Sequence, residues 1–169
     1  HRLTRGLALA VLVAGGAVAQ PGLAQEGITV GAGGALLMGS GQIIMGCTSL
    51  TVAGLLDMAK GTLNDVLNIG LSGQAKGEQG VINLSGNWSN SGAFDPGSST
   101  VNMKDGCKVT VATIAGNTTF HNLTITTTSG RQINFTTGST QGVNAGLTLN
   151  GVAGNRLNIR STTAGSPGF

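Results

Sequence analysis

Side chains able to do chemistry are few and scattered in this sequence. Beyond residue 25 the carboxylates are Glu26, Asp57, Asp65, Glu78, Asp95 and Asp105. Glycoside hydrolysis uses two carboxyl groups facing one cleft, and no two of these acids recur at a spacing that stacks them on adjacent rungs of a repeat. Asp95 in Asp-Pro-Gly and Asp105 in Asp-Gly sit in turn contexts, where a carboxylate ordinarily caps nearby backbone. His121, between Phe120 and Asn122, stands alone, and a lone imidazole is more often a packed or surface residue than a base or metal ligand. Serine is abundant and histidine nearly absent, so no Ser-His-Asp set can be assigned. A phosphate-binding loop, a dinucleotide glycine fingerprint, HExxH and calcium-binding GGxGxD repeats do not occur. The sequence therefore assigns no catalytic, cofactor-binding or metal-ligating residues and calls for no cofactor.

Three further residues bear on binding or stability. Trp88, the only tryptophan, is expected as a core or rung-capping aromatic. As an exposed contact residue beside His121 it would be a poor sugar platform, because it is a lone aromatic. Cys47 and Cys107 are an even pair in an export context, which favours a disulfide. A regular coil of about twenty residues instead puts them nearly three rungs, roughly 14 Å, apart at about 4.8 Å per rung, beyond the reach of a disulfide. Both outcomes stay open. Sequons at Asn83, Asn87, Asn117, Asn122 and Asn134 match by chance in so Asn- and Thr-rich a chain; corner asparagines or an inward-facing ladder are the better expectation.

The elements that must position these residues are legible from composition and punctuation. Of 169 residues, 30 are glycine, only 9% are charged and none is tyrosine. Low charge with 40% apolar residues argues against disorder, and a Thr/Asn/Gly-rich chain suits short strands joined by tight turns. Residues 1–25 read as a helical signal peptide: Arg2 and Arg5, an apolar run over 7–18, and a small-x-small site at Ala17-Val18-Ala19. That run is too short to be a membrane anchor. Without it, seven basic residues face six acidic ones. There is no basic stripe or aromatic platform for nucleic acid, and the mature chain has no expected membrane span.

From Ile28 onward, apolar runs at 28–30, 35–38, 42–45 and 50–52 alternate with glycines, at a strand spacing of seven to nine residues. Three strands per coil give a repeat in the low twenties, within the range of a β-solenoid. Residues 55–69 carry both a helical face and strand-like flanks; Gly61 weakens a helix, so continued solenoid is preferred. Residues 70–80 read as a loop, 86–92 as a corner, 100–103 and 108–114 as strands, and 120–127 as a half-buried strand. Residues 26–169 thus form one all-β domain. The expected end at Phe169 has no capping element, so the chain reads as an N-terminal fragment of a longer protein.

The segments GNWSNSGAFDPGSSTVNMKDGC (86–107), GNTTFHNLTITTTSGR (116–131), FTTGSTQGVNAGLTLNG (135–151) and GNRLNIRSTTAGSPGF (154–169), with CTSLTVAG (47–54), resemble bacterial secreted proteins built of β-strand repeats. Many of those carry a C-terminal sorting signal of the IPTL or PEP type, which does not occur up to Phe169. The resemblance implies a right-handed parallel β-helix, secreted or held at the cell surface. The group has no agreed enzymatic activity, so no catalytic residue carries over. The expected function is a non-enzymatic structural or adhesin-like module whose partners are surface glycans or other cell-envelope components. The alternative is the N-terminal part of a polysaccharide lyase or hydrolase whose catalytic rungs lie beyond residue 169.

Overall fold

A computed structural model of the protein describes residues 27–163; the expected signal peptide lies outside the described residues. The apolar runs become fifteen strands, and no helix occurs among the described residues. Every pair of named strands is parallel. The chain winds through about six turns of a β-solenoid with three faces.

The first face stacks β1 (Ile28–Val30), the second half of β3 (Gln42–Val52), the second half of β5 (Thr62–Leu71), β8 (Trp88–Asn90), β11 (Val111–Ala115), β13 (Gln132–Phe135) and β15 (Asn158–Ser161). The second stacks β2 (Ala35–Leu37), β4 (Leu55–Asp57), β6 (Gln74–Lys76) and β9 (Ala93–Asp95). The third stacks the first halves of β3 and β5, then β7 (Val81–Leu84), β10 (Thr100–Met103), and the later parts of β12 (Thr118–Thr126) and β14 (Gln141–Asn150).

Period-2 alternation decides which side chains enter the core. In register, Leu63, Ile82, Val101 and Leu123 form one buried column, and Leu84, Met103 and Ile125 another. Leu50, Ile69, Trp88 and Ile114 continue the core under the first face. Such columns bury a continuous apolar rod, in which each coil is stabilised mainly by its neighbours.

Two corners repeat with little change. Between the first and second faces, Gly34, Gly54, Gly73 and Gly92 stack. A Cβ on Gly54, Gly73 or Gly92 would lie 2.2, 2.2 or 2.1 Å from the carbonyl oxygen of the glycine one coil earlier. Between the second and third faces, Gly39, Ala59, Glu78 and Gly97 all adopt positive φ (56°, 44°, 49° and 50°). The N–H groups of Lys60, Gln79 and Ser98 then donate to the carbonyls of Gly39, Ala59 and Glu78 at 2.7, 2.7 and 2.6 Å. That coil-to-coil bond holds the left-handed conformation even at the two non-glycine positions.

The third corner is irregular. Trp88 pairs with Ile114, 26 positions on, whereas Ile69 pairs with Trp88, only 19 positions on. The extra length is a loop over 104–110 between β10 and β11.

Several expectations change accordingly. Residues 55–69 hold strands β4 and most of β5, as the solenoid preference anticipated. Residues 70–80 are not simply a loop, since they include β6, and the expected corner at 86–92 contains β8. In both places three residues suffice for a rung once neighbouring coils supply the hydrogen bonds. The expected strand at 108–114 starts only at Val111, because Cys107 and Lys108 have φ of 49° and 57°.

Candidate functional site

Outward positions of the third face alternate with the buried columns. Asn64, Asn83 and Asn102 occupy one register position on successive rungs, continued by Thr124 and Thr148. Asn64 and Asn83 are linked in the same position by the flanking Leu63↔Ile82 pair. The Asn83 amide donates to Asn64 Oδ1 at 2.6 Å, and the Asn102 amide to Asn83 Oδ1 at 3.0 Å. The expected asparagine ladder therefore exists, but it faces outward and is half-buried. Inward, each amide would displace a leucine or isoleucine from the core and leave hydrogen-bonding capacity unmet. A second outward column runs Thr62, Val81, Thr100 and Asn122. No charged side chain lies on this face within 42–45, 62–64, 81–84, 100–103, 122–126 or 146–150. The surface is thus mainly an array of amides and hydroxyls repeating at about 4.8 Å, interrupted by Val81 and, on the rung before Asn64, by the exposed Ile44. The recurrence of asparagine every nineteen residues at 64, 83 and 102 was the sequence signal for it.

Charge is concentrated elsewhere. On the second face Asp57, Lys76 and Asp95 share one column on successive rungs. The two carboxylates lie two rungs, about 10 Å, apart with a lysine between them. Each also caps its own turn: Asp57 Oδ1 accepts the Ala59 N–H at 3.0 Å, and Asp95 Oδ1 accepts the Gly97 N–H at 3.2 Å. Among the described residues, no group of three or more His, Cys, Asp or Glu is arranged to hold a metal ion.

The irregular corner is the most elaborately bonded region. Cys47 and Cys107 are joined by a disulfide with a Cα–Cα distance of 5.4 Å. Regular stacking would have kept them apart. Cys47 (φ 65°) lies where the β3–β5 register shifts, and Cys107 is in the 104–110 loop. The loop's added length lets it fold back along the corner, where a Cβ on Gly106 would meet the Ser85 hydroxyl at 2.5 Å.

Beneath the loop, Arg131 is 0% exposed. One guanidinium nitrogen donates to the Lys104 carbonyl at 2.7 Å and the other to the Ser85 carbonyl, so one side chain ties three coils together. Burial lowers its pKa, while the charge of Asp105 acts in the opposite direction. Asp105 Oδ2 accepts from the Thr128 N–H at 2.7 Å, the Thr128 hydroxyl at 3.1 Å and the Ser129 N–H at 3.1 Å. Burial disfavours its charged form. Hydrogen bonds from the Thr128 backbone, the Thr127 and Ser129 side chains and the Ser129 backbone outweigh that effect and lower its pKa from 3.8 to about 2. Thr127 Oγ1 accepts the N–H groups of Ser129, Gly130 and Arg131 at 3.2, 3.0 and 3.2 Å. Nothing local in Thr-Thr-Ser-Gly-Arg announces this corner, since its partners lie on other coils.

Of the two residues also considered as exposed contacts, Trp88 is not one and takes instead the core position that was the preferred expectation. It is 0% exposed. Its ring packs edge-on to Phe94 (centroids 5.1 Å apart, planes at 76°) and tilted against Phe120 (5.1 Å, 58°). Its indole N–H donates to Thr118 Oγ1 at 3.1 Å. It is therefore a core aromatic with its polar edge satisfied. Asn90, also buried, donates to the Asn117 carbonyl and Thr118 Oγ1 and accepts the Gly92 N–H. His121 is half-buried at the bend of β12, where the β12–β14 register shifts between Phe120 and Asn122. It lies beside the third face, next to Asn122. Comparison with family models, curated proteins and solved structures returns no match to this chain.

Proposed function

We propose that this protein is a non-enzymatic structural or adhesin-like rod, secreted or held at the cell surface, which contacts surface glycans or other cell-envelope components. The observation that carries this function is the uncharged third face. There the Asn64–Asn83–Asn102 ladder repeats one amide on three successive rungs, and Thr124 and Thr148 continue it with hydroxyls over a solid core. Individually weak contacts gain avidity when they repeat on a rigid surface. The Cys47–Cys107 bond suits an oxidising compartment, in keeping with the leader expected over 1–25. A right-handed coil is consistent with the resemblance and with the strong preference of parallel crossovers for that hand.

A polysaccharide-degrading solenoid is the competing function, and one observation favours it: Asp57 and Asp95 share a column. The deciding experiment is a glycan array probed with the purified protein, followed by a reducing-sugar assay on every glycan bound. Adhesion predicts binding without turnover and loss of binding in Asn83→Ala/Asn102→Ala. Release of reducing or unsaturated sugars, abolished by Asp57→Asn/Asp95→Asn, would overturn it.

A further inference from the structure

The third face carries two columns of outward side chains, two residues apart along each strand and so about 6.6 Å apart. One runs Thr62, Val81, Thr100 and Asn122, the other Asn64, Asn83, Asn102 and Thr124. In the second column each amide donates to the rung before it, Asn83 to Asn64 and Asn102 to Asn83. Asn122 does the same in the first, donating to Thr100 Oγ1 at 3.5 Å. A carboxamide has two N–H donors and two acceptor lone pairs, so after one bond each way Asn83 retains a donor and an acceptor. Because every bond in the ladder runs the same way, successive rungs present these groups in one orientation. They are half-buried, not enclosed.

The repeat decides what polymer can follow the columns. A ligand laid along the rod must repeat its polar groups at about 4.8 Å. An extended polypeptide does not, since it presents side chains on one face only every 6.6 Å or so. A nucleic-acid strand brings phosphate charge, and no cation lies on this face within 62–64, 81–84, 100–103 or 122–126. The same lack of cations leaves a uronic-acid or sulfated glycan without a charged partner. An uncharged β-1,4-linked glycan is an extended ribbon whose sugar unit is only slightly longer than one rung, and its hydroxyls both donate and accept. Val81 and the threonine methyl groups can meet the C–H edges of its rings, in place of the aromatic platform that the burial of Trp88 removes. An α-linked chain coils and leaves the columns within a unit or two.

We infer that the third face takes an uncharged, linear β-1,4-linked polysaccharide laid along the rod axis, with successive sugar units on the successive rungs of Asn64, Asn83, Asn102 and Thr124. This rests on the proposed contact of that face with glycans, and adds the class of glycan and its direction.

The test titrates the purified protein with β-1,4-linked glucose oligomers, dimer through pentamer, and follows the side-chain amide resonances of Asn64, Asn83 and Asn102 by NMR. Affinity should rise about tenfold or more from dimer to tetramer, as each added unit reaches a further rung, and should be insensitive to salt. Both outcomes are read on the wild type. Asn83→Ala/Asn102→Ala should leave the tetramer binding little better than the dimer. A dimer that binds as tightly as the tetramer, or a glucuronic-acid tetramer of the same linkage that binds more tightly than the glucose tetramer, would overturn the inference and leave a glycan contact of another kind. So would capture of array glycans with no shift by any glucose oligomer. An array on which no glycan binds would instead remove the proposed function, and this inference with it.

Discussion

A carboxylate that accepts several hydrogen bonds holds its charge at a pH where a free aspartate is neutral, and Asp105 is in this position. Its pKa is depressed from 3.8 to about 2. Its contribution to stability is therefore complete above the unfolded value and is lost as pH falls through the folded one. Thermal melts should show the wild type losing Tm more steeply than Asp105→Asn between about pH 4 and pH 2; parallel curves would contradict this. Arg131→Ala should cost about 2–4 kcal/mol in urea unfolding, because it removes the donor to the buried Ser85 carbonyl and the part-buried Lys104 carbonyl along with the guanidinium itself. The turn context of Asp105 did announce a capping carboxylate. It did not announce which backbone would be capped, because Thr128 and Ser129 lie more than twenty positions away and meet Asp105 only through coil stacking.

Strands in this fold are too short to hold themselves, so corners set their register. Gly73 shows why: a Cβ there would lie 2.2 Å from the Gly54 carbonyl oxygen and 2.4 Å from that of Ala53, whereas at Gly70 nothing stands within 4 Å. Gly73→Ala should destabilise by about 1–3 kcal/mol and Gly70→Ala should stay within about 0.5 kcal/mol, read from denaturant midpoints. The 104–110 loop is the other decisive element. Closing a sixty-residue loop by the Cys47–Cys107 bond constrains the unfolded chain by about 4 kcal/mol in the chain-entropy treatment. Cys47→Ser/Cys107→Ser should lower stability by about 2–4 kcal/mol and speed tryptic cleavage after Lys104 and Lys108. Unchanged cleavage would mean that Arg131 and Asp105 hold the loop without the disulfide. Alternation and glycine spacing made most strands legible. Strands β6 and β8 were missed because a three-residue rung has almost no pattern of its own and exists through the coils above and below it.

At the scale of the molecule, a rod of nearest-neighbour contacts should not be uniformly stable. Native-state amide exchange should be slowest in β5, β7 and β10, which have paired strands on both sides, and fastest in β14 and β15. A flat profile would show that the solenoid opens as a single unit. The uneven distribution of charge among the described residues, acidic over 27–103 and basic over 104–163, overlays this gradient.

By itself the sequence determined that this chain forms stacked short strands: period-2 alternation and glycine corners are local steric facts, legible over a few residues at a time. It also carried the asparagine recurrence, though not its direction, since a one-position slip in a strand exchanges the buried and solvent faces. Tertiary structure alone decided that Trp88 is enclosed by Phe94 and Phe120, that Arg131 ties three coils together, and that Cys47 meets Cys107. The last two run through the 104–110 loop, which makes one coil longer than its neighbours. Added length in a corner has no consequence until stacking on both sides determines where the surplus chain must go.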